Sequence, residues 1–227
     1  MNAFFCGWFR KVWNCHSVAR RHYGSSNGWQ RTTLQNNSRF PRRRGERRFL
    51  ARHPMNISTR RWTRADLATV QQLLLETWLE AYGSFIPQTD LEGYLHTQYS
   101  EARLAALFAD PDVTGLVAEV DGRVAGYAKL FHARAELKFY VHQLYILPAW
   151  QGHGLGHRLM TCAEERAREL GADRIWLGVM VKNTQAVEWY KRLGFTITET
   201  APFVMGATTV DHYIGYLPLP LPRSRPR

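Results

Sequence analysis

The stretch that most constrains the fold is Leu144-Tyr145-Ile146-Leu147-Pro148-Ala149-Trp150-Gln151-Gly152-His153-Gly154-Leu155-Gly156, where a β-branched and aromatic run breaks at a proline and restarts as a glycine-spaced turn. From Leu155 the apolar positions recur as Leu159, Cys162, Ala163, Ala167 and Leu170, which is helical spacing, and Gly171 supplies a C-terminal stop. The order is therefore strand, glycine turn, helix. Glycines at alternate positions let the backbone turn tightly, and several main-chain N–H groups then point into one concavity at the positive end of the helix. Such a concavity binds phosphate.

Spacing separates three nucleotide-type turns. A Walker-type loop needs Gly-Lys-Ser/Thr at the helix entry, and this chain has Gly156-His157-Arg158. A dinucleotide fingerprint needs glycines spaced G-x-G-x-x-G and an acidic residue closing the next strand. Here His157 stands at the third glycine position and Asp173 precedes the strand. The third pattern, Gln/Arg-x-x-Gly-x-Gly/Ala after a strand, is met by Gln151, Gly154 and Gly156. A second block follows: Ile175-Trp176-Leu177-Gly178-Val179 reads as a strand, and Asn183, Ala186, Trp189, Tyr190, Gly194 and Phe195 follow in the spacing Asn-x-x-Ala-x-x-Trp-Tyr-x-x-x-Gly-Phe. On these two blocks, in this order, the chain resembles the GCN5-related N-acetyltransferase (GNAT) superfamily over about residues 57 to 217.

The resemblance implies a fold and a set of roles. The fold is α/β: a mixed, mostly antiparallel sheet of six to seven strands with helices on both faces. Acetyl-CoA is the implied co-substrate, with its pyrophosphate on the turn Gln151, Gly152, His153, Gly154, Leu155 and Gly156, and with His157 and Arg158 as side-chain donors one turn inside the helix. The pantetheine arm would run along the end of the preceding strand, against the main chain of Leu144, Tyr145, Ile146 and Leu147. A strand N–H at Leu144 or Tyr145 would polarise the thioester carbonyl. Asn183 would hydrogen-bond the cofactor from the next helix, and Tyr190 matches the family tyrosine near the sulfur, a general acid for the leaving thiolate. Tyr190 also lies at Ala186, Val187, Tyr190, Leu193 spacing, the pattern of a buried helix face.

The base is the weakest match. Many family members carry a glutamate on the long central strand, whereas the expected face of Lys138, Tyr140, His142, Leu144 and Ile146 holds no carboxylate. His142 is the substitute, with an ordinary pKa suited to base work. Glu80 and Glu119 are fallbacks.

Net charge decides how much weight nucleic acid deserves as a partner. The whole excess of +11 sits in residues 1 to 54, where 12 Lys and Arg face Glu46 alone, while the remainder is balanced at 18 of each sign. That leader has Ser/Asn/Gly-rich stretches, the arginines Arg42, Arg43, Arg44, Arg47 and Arg48, and no sustained helix or strand period. It reads as a disordered segment, an organelle transit peptide, a basic arm or a mis-assigned start. Translation from Met55 is the expectation, because Met55-Asn56-Ile57-Ser58-Thr59-Arg60-Arg61 resembles the opening of family members. The domain is then expected over 55–217, with a Pro/Arg-rich tail over 218–227. Cys6, Cys15 and Cys162 give no ligand spacing and no disulfide framework, so no metal is expected and Cys162 is assigned to the core. No run reaches membrane-spanning length, which points to a cytoplasmic protein without membrane partners.

Along the chain, Ile57 to Trp62 is expected as a first strand, followed by a helix with Leu67, Val70, Leu74, Leu75, Trp78 and Leu79 on its apolar stripe and a stop at Gly83 and Pro87. A second helical region, Leu91 to Phe108, bends at Tyr99-Ser100. Strands follow over Val113 to Val120, Arg123 to Phe131 and Leu137 to Leu147, the first two joined by an Asp121-Gly122 hairpin turn. Closing strands are expected around Phe195 to Thr200 and over Val210 to Leu217. In the resembled family the two early helices flank the acceptor pocket, making Trp78, Tyr82, Phe85, Tyr94 and Tyr99 candidate wall residues.

The expected activity is transfer of an acetyl group from acetyl-CoA to a primary amine. A small or polyamine-like acceptor is favoured from a loose similarity around Phe203 to Gly206, and a peptide N-terminus, a lysine or an antibiotic amine stays open. A homodimer is compatible with the sequence. The alternatives are an acyl-CoA-binding sensor without turnover and a nucleic-acid-binding protein that uses the arginine leader.

Overall fold

The structure, a computed structural model, describes residues 55–219. The leader expectations and most of the Pro/Arg-rich tail lie outside these residues. Within them the order is β1 (Ile57–Arg61), α1 (Leu67–Tyr82), α2 (Gln88–Gln98), α3 (Glu101–Ala109), β2 (Val113–Val120), β3 (Arg123–Ala133), β4 (Lys138–Ile146), α4 (Leu155–Glu169), β5 (Arg174–Met180), α5 (Thr184–Arg192), β6 (Thr196–Met205) and β7 (Thr208–Pro218). The seven strands form one sheet in the order β1-β2-β3-β4-β5-β7-β6. Every neighbouring pair is antiparallel except β4 and β5.

Local sequence explains the joints. Asp121 and Gly122 both take positive φ, 50° and 77°, the pair of left-handed residues that a two-residue hairpin turn needs between β2 and β3. Ser100 ends the expected bent helix and starts a new one: its hydroxyl accepts the Arg103 N–H at 3.3 Å as the N-cap of α3. Arg60 on β1 bonds Asp66 at 2.7 Å and Glu119 at 2.6 Å, fastening the first turn after β1 to β2.

Helices cover both faces. On one face α4 and α5 bury Leu155, Leu159, Ala163, Ala167, Val187 and Tyr190 against Phe139, Val141 and Ile175. The other face receives α1, with Leu67, Val70, Leu73, Leu74, Thr77, Trp78 and Tyr82 buried. Two details of the expected α1 stripe change: Leu79 is 44% exposed, and Leu73 and Tyr82 take up core positions. The 100° advance per residue turns Leu79 off the stripe one step after Trp78. β6 runs five residues past Thr200 to Met205, and β7 runs past Leu217, since Pro218 still pairs with Arg174 and the Leu219 N–H bonds Asp173 O at 2.8 Å.

Two irregularities in β4 shape everything downstream. Its parallel pairing with β5 covers only Phe139 with Ile175 and Tyr140 with Trp176, after which the two strands part. Its pairing with β3 slips between Lys129 and Leu130, which face Gln143 and Val141, so His142 is an extra residue bulged from the ladder. A bulge reverses the alternation of side chains beyond it. Phe139 and Val141 before it, and Leu144 and Ile146 after it, all pack on the α4 side. The expected common face of Lys138, Tyr140, His142, Leu144 and Ile146 is therefore broken at His142. Gln143 and Tyr145 turn instead to the α1 side, where they meet Tyr99 and Trp78.

Candidate active site

The turn between β4 and α4 is glycine-spaced and opens onto the start of a helix. Gly152 and Gly154 have φ of 78° and 82°, with open space where a Cβ would stand. Non-glycine residues are strained in that region. The first helical bond of α4 runs from the Arg158 N–H to Gly154 O at 3.1 Å. The N–H groups of Leu155, Gly156 and His157 therefore have no helical carbonyl to bond, and they carry the positive end of a 15-residue helix. Leu155 anchors this end in the core, 1% exposed.

The flanking residues hold the turn in shape. Gln151 donates to Ile146 O at 3.2 Å and accepts from Gln185 at 3.4 Å, while the His153 ring sits 2.9 Å from Gln151 O. A Cβ on Gly156 would lie 3.3 Å from the Trp189 ring, so the glycine lets α4 and α5 approach closely. The sequence-derived turn residues Gln151, Gly152, His153, Gly154, Leu155 and Gly156 thus form one continuous feature. It follows directly on Leu144, Tyr145 and Ile146, at the end of β4 that has parted from β5.

Asn183 and Tyr190 come to the same side from α5. Asn183 is the N-cap, its Oδ1 accepting the Ala186 N–H at 3.2 Å, and its side chain also hydrogen-bonds Tyr82. Tyr190 is buried between Trp189 and Phe195, with ring centroids 4.9 and 6.0 Å away. Burial and the neighbouring Tyr82 push its pKa well up, so the phenol keeps its proton at any physiological pH.

On the α1 side the expected wall residues do meet. Trp78 stacks on Tyr94 at 5.0 Å and touches Tyr82, Tyr99 and Tyr145, and Phe85 lies 5.9 Å from Tyr82. The β6–β7 hairpin closes this cluster from above. Phe203 packs on Tyr94 at 5.7 Å, and the Thr208 hydroxyl donates to Asp90 at 2.6 Å near the start of α2.

His142 has different ring neighbours, lying 5.8 Å from Phe131 and 6.1 Å from Tyr140. Burial first, and the charge of Lys129 second, hold its pKa well below 6.5, so it is a neutral imidazole at neutral pH. The fallback carboxylates stand apart from it: Glu119 is committed to Arg60 and Ser58, and Glu80 is on the exposed side of α1.

Sequence reasoning missed three residues here. Tyr145 was assigned a main-chain role, yet its hydroxyl is 3.4 Å from that of Tyr82. Gln143 donates to the Tyr99 hydroxyl. Lys129 alternates with Tyr127 and Phe131 on β3, and burial together with the Arg103 charge pulls its pKa down to about 8. A lysine inside an alternating aromatic stripe was the available signal, and Lys129 is indeed only partly exposed.

The Acetyltransferase (GNAT) family model matches residues 70–195. The chain belongs to the GNAT family of acetyltransferases. An uncharacterized N-acetyltransferase of Mycobacterium tuberculosis is 35% identical over 124 residues, 55% of this chain and 79% of the relative. The L-methionine sulfoximine/L-methionine sulfone acetyltransferase of Salmonella typhimurium is 35% identical over 92 residues, 39% of this chain and 54% of that protein. Among solved structures, YncA of Salmonella typhimurium with acetyl-CoA is 26% identical, covers 74% of this chain and 96% of its own, and superposes with a TM-score of 0.53. The PaiA N-acetyltransferase of Thermoplasma acidophilum with coenzyme A, 21% identical, matches in fold with a TM-score of 0.63 over 72% of this chain and 99% of its own. The mixed sheet described above is thus that of a GNAT acyltransferase. Among the described residues no helix is long and apolar enough to cross a membrane.

Proposed function

We propose that this GNAT enzyme transfers the acetyl group of acetyl-CoA to the primary amine of a small molecule. The observation that carries the reading is the junction of three features: the open glycine turn at the head of α4, the stretch of β4 that has parted from β5, and Tyr190 on α5. The acetyl-CoA complex of YncA and the small-molecule acceptors named for the methionine sulfoximine and streptothricin acetyltransferases support it.

When bound, acetyl-CoA supplies a thioester, an acyl group already activated toward an amine. The N–H groups of Leu155, Gly156 and His157 and the turn from Gln151 to Gly154 hold its pyrophosphate. The parted end of β4 offers main-chain groups of Leu144, Tyr145 and Ile146 to the pantetheine arm, which takes the place of a neighbouring strand. One of these N–H groups faces the carbonyl oxygen as charge develops on it. Asn183 orients the arm from the α5 N-cap. Tyr190 donates its phenolic proton to the departing sulfur as the C–S bond breaks, and regains one from the acylated nitrogen through solvent.

The acceptor must lose a proton before it attacks. An ordinary alkyl ammonium has a pKa near ~10.4, far above that of His142, so the imidazole alone is too weak a base. Lys129 shows what the site does to an amine: burial and a neighbouring cation bring it down to about 8. An acceptor amine in the same surroundings reaches its neutral form readily, and the proton it sheds goes to solvent; His142, held well below 6.5, relays that proton and does not keep it.

The test is thiol release from acetyl-CoA by the full chain across small amines, amino acids, aminoglycosides, polyamines and short peptides. Acceptor-dependent release with a small amine is expected. Tight acetyl-CoA binding with no release by any acceptor would overturn transfer in favour of a sensor, and release with peptides alone would overturn the small-molecule acceptor.

A further inference from the structure

α2 opens on Pro87, which caps the helix without a side-chain hydrogen bond, and Asp90 stands at the third helical position. An acid there commonly reaches back to the N–H of the cap residue. Proline has no N–H, so the Asp90 carboxylate is available to leave its own helix. It goes to the β6–β7 hairpin, where the Thr208 hydroxyl donates to it at 2.6 Å. A Cβ on Gly206, whose φ is 60°, would overlap the same carboxylate, so the backbone of the hairpin turn lies directly against it. Among the described residues no lysine or arginine pairs with Asp90. The Thr208 hydroxyl first, and the N–H groups of Ala207 and Thr208 with it, hold the carboxyl below the ordinary carboxylate range, so the charge is present at neutral pH.

The hairpin needs a fastening at this point. Its pairing with β5 runs from Pro218 to His212, and the Val181 N–H bonds Asp211 O at 3.0 Å as the last rung. From Phe203 to Val210 the hairpin overhangs the sheet, its two strands paired only with each other. Phe203 and Met205 alternate onto the same face as their partners Val210 and Thr208, and Phe203, Met205 and Val210 are all buried. Phe203 packs on Tyr94, one helical turn after Asp90 on α2, and Tyr94 stacks on Trp78, which in turn touches Tyr145. Apolar packing gives the overhang a surface to lie on but does not fix its position along that surface, because the hydrophobic contribution is non-directional. The hydrogen bond from Thr208 to Asp90 is directional, and its acceptor is ionised.

We infer that Asp90 is a positioning residue for the acceptor: by holding the β6–β7 hairpin at Thr208, it sets where Phe203 lies on the aromatic wall of Trp78, Tyr82, Tyr94 and Tyr99, and with it the fit of the amine. The inference rests on the acetyl-transfer reading and names a residue that controls its acceptor side. Asp90 acts through the hairpin rather than on the reacting atoms. Its carboxylate is taken up by Thr208 and the turn, and the parted end of β4 is reached from it through Tyr94 and Trp78. The contact includes no atom of the glycine turn or of Tyr190, so acetyl-CoA binding and proton transfer do not depend on it directly.

The experiment measures thiol release by the full chain with the most active amine of the acceptor panel, for the parent, Asp90→Ala, Asp90→Asn, Thr208→Val and the double variant of Asp90→Ala with Thr208→Val. Asp90→Ala should raise the acceptor KM about 5- to 20-fold, part of the worth of a charge-assisted hydrogen bond, with kcat within about twofold and acetyl-CoA affinity unchanged. Asp90→Asn keeps an oxygen for the Thr208 hydroxyl and should recover most of the loss. Thr208→Val should raise the same KM, by less than Asp90→Ala, and the double variant should be no worse than Asp90→Ala alone, since both changes remove one contact. An acceptor KM that Asp90→Ala leaves unchanged, whatever its melting temperature, makes Asp90 merely structural and overturns the inference. So does a matching loss of acetyl-CoA affinity. A KM rise that Thr208→Val does not share puts the carboxylate on the amine itself and also overturns it. Where Asp90→Ala does not fold, Thr208→Val decides: its acceptor KM must rise with kcat held. If no amine releases thiol, the transfer reading fails, and the variants are compared by the thermal shift that the same amines give the CoA-saturated protein. A shift that Asp90→Ala and Thr208→Val both lessen supports the positioning role; no shift with any amine, or one that both leave intact, overturns it.

Discussion

The Tyr82 hydroxyl lies 3.4 Å from the Tyr145 hydroxyl and also hydrogen-bonds the Asn183 side chain. Three elements meet in that contact: the last turn of α1, the parted end of β4 and the N-cap of α5. They border the gap between β4 and β5 from different sides. Burial pushes the pKa of Tyr82 up, so the group acts here as a neutral phenol with one proton to place.

Tyr82→Phe removes only that hydroxyl and keeps the ring packed on Trp78 and Phe85. The fold should survive, because the lost hydrogen bonds contribute about 1 kcal/mol each. Turnover should fall about 10-fold as Asn183 and Tyr145 lose their common partner. Steady-state kinetics with acetyl-CoA and one acceptor checks this, and unchanged kcat would mean that the three elements hold their positions without the contact.

Gly154 separates two costs. Gly154→Ala puts a Cβ on a residue with φ of 82° but into open space, so it should cost about 1–2 kcal/mol of strain and weaken acetyl-CoA binding modestly. Gly154→Glu adds a negative charge beside the N–H groups proposed to hold the pyrophosphate and should weaken binding at least about 100-fold. Isothermal titration of both variants measures the difference; equal affinities would remove the pyrophosphate from this turn.

The α4 segment was legible because its buried positions, Leu155, Leu159, Ala163 and Ala167, follow a 3.6-residue period that solvent and core enforce together. The turn before it was legible because positive φ at Gly152 and Gly154 leaves few alternatives to glycine. The β4 bulge was not. His142 and Gln143 are both polar, so slipping the register by one residue at that point leaves no break in the apolar alternation. From that hidden step came the misassigned face of Leu144 and Ile146 and the missed side chains of Gln143 and Tyr145. Lys129 was unread for a different reason: a strand lysine belongs to solvent until the helix that packs on its strand is known, and α1 is brought over β3 only by tertiary packing.

Tyr190→Phe should separate chemistry from packing. The ring keeps its contacts with Trp189 and Phe195, and only the proton donor is lost. The expected outcome is a fall of about 100-fold or more in kcat with acetyl-CoA affinity within about twofold, the signature of a group that acts only in the transition state. Loss of binding in proportion to kcat would make Tyr190 a packing residue.

Stability should decline in two steps on acidification. His142 and His212 are held below 6.5 by burial, so the unfolded chain takes up their protons first. Their contribution is complete above 6.5 and is lost as pH falls through the folded-state values. Asp66 follows at lower pH. Its hydrogen bonds to Arg60, at 2.7 and 2.9 Å, hold it below 3.8, so its contribution is complete above about 4 and disappears as pH drops toward the folded-state value. Urea midpoints at about pH 7.5, 5 and 3 resolve the steps for the parent chain, His142→Asn and Asp66→Asn. His142→Asn should flatten the upper interval and leave the lower one steep. Asp66→Asn should lose about 1–2 kcal/mol at neutral pH, a figure reduced by the partial exposure of Arg60, and should flatten the lower interval. A parent curve that runs parallel to both variants would show that these groups titrate alike in the folded and unfolded chain.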